Sequence, residues 1–197
     1  MKLFLLLITA LAATITGKSQ QPGLLAIEQS RIKTTKNGMM VLGGWSAANI
    51  IGGAIGTNTN SPEMRYFHQM NVMWGGVNIL IAGLGYWSAS RESIDNLTLT
   101  KLLTRQSSME KTFLFNAGLD LAYITGGLYL TERSRRNANP AKLKGYGNSV
   151  MLQGGGLLLF DAVMYAISQR QGKKLTALTG KLVVVAAPAM VLLTYRL

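Results

Sequence analysis

Residues 148–167, NSVMLQGGGLLLFDAVMYAI, form an apolar run almost long enough to cross a bilayer, and the run holds one acid, Asp161. Twenty residues of helix rise about 30 Å, the thickness of a membrane's hydrocarbon core. A carboxyl group among Leu, Phe, Val and Met is costly unless it is hydrogen-bonded or reached by water. The length of the run sets the fold class, and its acid sets the functional question.

Three further runs of similar length precede it: Met39–Gly56, Met70–Ala89 and Thr112–Leu130. Charge is almost absent within all four, so their outer surfaces must be apolar. A soluble bundle would carry charged outer faces. A membrane β-barrel would show ten-residue alternating segments instead. The expected fold is therefore all-α: a polytopic helical membrane protein with a four-helix transmembrane bundle. A last run, Leu182–Tyr195, is fourteen residues long and contains Pro188. It is expected to be a short C-terminal apolar helix making a short fifth crossing, with an interfacial helix as the alternative.

The 197 residues suffice for one compact domain, preceded by a leader. Residues 1–19, MKLFLLLITALAATITGKS, have the lysine, apolar stretch and small residues of a signal peptide. Cleavage after Ser19 is expected, with an uncleaved signal anchor as the alternative. Residues 20–38 form a polar lead-in, and 39–197 form the transmembrane domain. The absence of Cys excludes disulfides and thiol chemistry, and a single His68 cannot build a His-rich metal site. No cofactor or metal is expected, and no motif specifies an enzyme reaction.

A net charge of +12 raises the question of nucleic acid. The basic residues fall between the apolar runs, as in Arg31, Lys33 and Lys36, or Lys101, Arg105 and Lys111. That placement is expected of anchors facing lipid headgroups, so the bilayer is the expected partner and nucleic acid is not. With four crossings, the side where the first run begins carries more Lys and Arg. The positive-inside rule puts that side in the cytoplasm, whereas a cleaved leader puts it outside. Orientation stays open.

The polar residues inside the runs are the candidate site. With alternating spans, Asp120 lies about 12 Å and Asp161 about 9 Å from the same membrane side, and Asn49 and Asn78 about 15–16 Å. A shared buried network of Asp120, Asp161, Asn49, Asn78, Asn116, Gln153, Tyr123 and Tyr165 is expected. Asn116, Asp120 and Tyr123 share one helical side, and so do Asp161 and Tyr165. Gly118, Ala122 and Gly126 have the small-xxx-small spacing of interhelical contacts, a spacing that chance supplies readily in a chain with 22 glycines. The favoured reading makes the two acids hydrogen-bonding glue in an accessory or structural component of an envelope complex. The alternative is a small ion- or proton-coupled channel or transporter using Asp120 and Asp161. A membrane-protein partner or homo-oligomer fits either.

The segments Gly43-Gly44-Trp45-Ser46-Ala47-Ala48-Asn49-Ile50, Asn71–Asn78 (NVMWGGVN) and Gln153–Asp161 (QGGGLLLFD) carry a resemblance. Together they resemble an uncharacterised family of small multi-pass membrane proteins from Bacteroidota-type bacteria, over residues 24–195. The resemblance implies a bacterial inner-membrane location and supplies no catalytic residue.

Overall fold

The computed structural model describes residues 22–95, 97–179, 182–187 and 190–195. Four long helices account for most of them: α1 (Pro22–Gly56), α2 (Pro62–Ser90), α3 (Leu99–Ser134) and α4 (Pro140–Thr179). The leader lies outside the described residues.

Polar residues cap the starts of α2, α3 and α4. Ser61 caps α2, its hydroxyl accepting from the Met64 amide at 3.4 Å, with Pro62 in the first turn where no amide hydrogen is needed. Thr98 caps α3 in the same way through the Lys101 amide at 3.2 Å. Asn139 accepts from the Lys142 amide at 3.1 Å just ahead of Pro140, at the start of α4.

Each apolar run lies within a helix that is longer than the run. α1 begins 17 residues before Met39, and α4 continues 12 residues past Ile167. At 40 residues, α4 is about 60 Å long, twice a hydrocarbon core. The extensions of α1, α3 and α4 gather at one end of the bundle, together with the α2–α3 connection. By length and composition, α1 and the stretch Pro140–Leu178 of α4 are apolar enough to cross a membrane.

Packing follows the order α1–α2–α4–α3: α1 pairs with α2, α3 pairs with α4, and α2 packs on α4. Glycine sets the close approaches. A Cβ at Gly75 would lie 2.9 Å from the Ser46 carbonyl oxygen, and one at Gly127 would lie 2.6 Å from that of Gly147. The Gly118–Ala122–Gly126 face is not such a contact: a Cβ at Gly118 or Gly126 would meet nothing within 4 Å. α2 and α3 make little contact beyond side chains such as the Trp74–Tyr123 pair, and a cleft lies between them.

Burial is inverted relative to an ordinary soluble core. Of the seven largest fully buried side chains, five are polar: Gln153, Glu28, Ser46, Ser149 and Ser168. Ile55, Leu80, Leu84, Phe115 and Leu159 are more than 60% exposed and form an apolar outer belt on all four helices.

Residues 182–187 and 190–195 correct the expectation of a C-terminal helix. They form two antiparallel strands, β1 (Leu182–Ala187) and β2 (Met190–Tyr195), in register from Leu182↔Tyr195 to Ala187↔Met190. Three consecutive β-branched residues, Val183–Val185, favour a strand, and Pro188 cannot continue a helix. A helical fifth crossing is not formed, and six-residue strands fall short of the 9–11 residues a membrane strand needs.

Candidate functional site

The cleft between α2 and α3, closed at the back by α1 and α4, encloses about 530 Å³. From Arg105 at one end to Tyr123 at the other it follows α3 for 18 residues, about 27 Å. Helical spacing places Ser108, Thr112, Asn116 and Asp120 in a polar row along that wall. Met39, Leu42, Ile81 and Phe113 are among the apolar residues opposite and between.

One end of the cleft is bordered by an ionic quartet that sequence reading missed. Arg31 donates to both carboxylate oxygens of Glu28 at 2.8 and 2.9 Å and also pairs with Glu92. Arg105 pairs with Glu28 and stands 3.8 Å from Glu92. The quartet ties α1, the α2–α3 connection and α3 together with balanced charge. Burial of Glu28 works against its charge, but hydrogen bonds and attraction from Arg31 and Arg105 prevail and hold its carboxyl below the usual glutamate range. Arg31 and Arg105, expected to face lipid headgroups, instead turn inward.

Asp120 and Asp161 form the floor. Both carboxyl groups line the same space, close enough to interact, with Asn116 beside Asp161. Asn78 lines the same space, and the Trp74–Tyr123 edge-to-face pair, with ring centroids 4.9 Å apart, bounds it. Two buried atoms here have no hydrogen-bond partner: Asp120 Oδ2 and Asn78 Nδ2. Asp120 is 3% and Asn78 2% exposed. Among the described residues, no Lys or Arg pairs with either aspartate.

The other expected site residues separate from this floor. Gln153 centres a second cluster: its Nε2 donates to Asn49 Oδ1 at 2.6 Å and Asn71 Oδ1 at 2.9 Å, while its Oε1 accepts from Trp45 Nε1 at 3.2 Å. Ser149 donates to the same Asn71 oxygen at 2.6 Å. This cluster fastens α1, α2 and α4. Tyr165 turns away from Asp161, its hydroxyl accepting from Gln169 Nε2 at 3.1 Å, and Gln169 also donates to Glu110 at 2.9 Å. The expected single network is thus divided into three groups. The i,i+3 spacing of Glu28 and Arg31 was a legible signal for part of the quartet; nothing local announced Glu92 or Arg105.

A family model covers residues 41–162, from the middle of α1 to the residue after Asp161. It is described as a family of unknown function (DUF6992). The chain belongs to this family. The DUF6992 match takes in the floor and the Gln153 cluster, and leaves out Glu28, Arg31 and Tyr165. No curated protein and no solved structure matches the chain.

Proposed function

We propose that this chain is a four-span membrane protein that takes a small solute or ion into the α2–α3 cleft, with Asp120 and Asp161 as the receiving groups. One observation carries the reading: Asp120 Oδ2 and Asn78 Nδ2 are buried, lack partners and border a cavity. A carboxyl serving only as glue would have its hydrogen bonds satisfied by the protein, as Gln153 has. The apolar belt and polar interior support lipid as the surrounding solvent for all four helices. The bacterial inner membrane is the compartment we assign, through the sequence resemblance. An accessory role in an envelope complex is the second reading, favoured by the unpacked small face of α3 at Gly118 and Gly126.

A chain without Cys makes the test clean. Single cysteines at Thr112 and Asn116 should react with a hydrophilic thiol reagent in nanodisc-held protein. Cysteines at Leu114 and Phe115, on the outer face, should not. Unreactive Thr112→Cys and Asn116→Cys in folded protein would overturn the cleft reading and leave the accessory one.

A further inference from the structure

The floor of the cleft has more specific chemistry than a water-filled path requires. Two carboxyl groups meet there without a basic partner among the described residues. Asn78 Nδ2 offers a hydrogen-bond donor and Asp120 Oδ2 an acceptor, both buried and both unused. Trp74, Tyr123, Phe113 and Phe160 also line the space, presenting aromatic surface beside the acids. We propose that this floor binds an organic ammonium ion carried on an apolar or aromatic body. The inference deepens the cleft reading and rests on it.

Three features select this ligand class. The ammonium supplies the donors that Asp120 and Asp161 lack, and charge-assisted hydrogen bonds to carboxylates are strong where water is scarce. An aromatic-walled space attracts an organic cation by ring faces as well as by charge. A volume of about 530 Å³ lies within the range of small-molecule pockets and far exceeds a dehydrated alkali ion. A metal ion is less well served, since the described residues hold no group of three His, Cys, Asp or Glu side chains. An amphiphile can enter because the cleft lies between two helices that make little backbone contact and meet at the Trp74–Tyr123 ring pair. At the quartet end, two arginines are offset by two glutamates, so that end does not confront the cation with a bare positive charge.

The probe is 2-phenylethylammonium, with 2-phenylethanol as its neutral isostere, measured by equilibrium dialysis against the full chain in nanodiscs. We expect saturable binding of the amine, and affinity at least about tenfold lower for the alcohol and for Asp161→Asn, the loss expected for one charge-assisted contact. Ile81→Trp fills the cleft from a half-exposed position without touching the acids, so it should abolish binding while circular dichroism stays unchanged. Equal binding of amine and alcohol, or full binding by Ile81→Trp, overturns the proposal. If Thr112→Cys reacts but K⁺ or Na⁺ alone displaces the amine at stoichiometric occupancy, the ligand class is wrong and the cleft reading stands. If Thr112→Cys is also unreactive, both fall.

Discussion

Asp161 and Gln153 lie eight residues apart on α4, yet their surroundings differ in kind. Gln153 is fully enclosed and spends its amide on Asn49, Asn71 and Trp45. Asp161 faces a cavity with a second carboxyl beside it. Replacing Gln153 by Leu should therefore strand buried polar groups on α1 and α2 and cost about 1–3 kcal/mol per orphaned group, read as a lower detergent-unfolding midpoint. Asp161→Asn should leave that midpoint nearly unchanged. The glycines divide similarly. Gly127→Val forces a side chain onto the Gly147 backbone and should destabilise by about 1–3 kcal/mol or more. Gly118→Ala meets open space and should gain up to about 1 kcal/mol from helix propensity, measured in the same unfolding assay. Sequence spacing marked Gly118 as one candidate contact of low specificity and was silent on Gly147, because a period places a residue on a stripe but does not say which stripe meets a neighbour. The acids, by contrast, were legible at once, since a carboxyl in an apolar run has few explanations.

At the scale of elements, the four helices could be read from run length, and the extensions beyond the runs could not. Charge between apolar stretches looked like headgroup anchoring because the partner of each charge is remote in sequence: Arg105 meets Glu28 across 77 positions. That quartet makes the α1–α3 junction acid-sensitive. The Glu28 value is depressed in the folded chain, so its contribution is fully present above the unfolded glutamate value and is lost as pH falls through the folded one. The unfolding midpoint should drop as pH falls below about 4.3, and Glu28→Gln should remove most of that dependence. Arg31→Ala should cost more than Glu28→Gln does at neutral pH. It leaves a buried carboxylate with Arg105 but without Arg31, so the cost is at most the roughly 3–5 kcal/mol of a buried pair broken outright. The C-terminal run was ambiguous for another reason. Fourteen apolar residues suit a short helix or two strands, and the β-branched run decided the outcome.

For the whole molecule, the polar interior and apolar exterior make one account of fold and site. With Gln, Glu and Ser enclosed beside a few apolar side chains such as Leu102 and Leu175, the helices are held largely by close glycine contacts and hydrogen bonds. In the four-span reading we propose, the three connections alternate across the bilayer. Cysteines at Asn58 and Asn137 should be labelled by an impermeant maleimide from one side, and a cysteine at Asp95 from the other; common-side labelling would contradict four crossings. The most direct test of the central claim is reaction of the acid pair with a hydrophobic carbodiimide in the nanodisc-held full chain. Modification of Asp120 or Asp161, located by peptide mass spectrometry and suppressed by Ile81→Trp, is the predicted result. A folded chain in which neither aspartate reacts at any pH would contradict the account, making the floor of the cleft sealed packing.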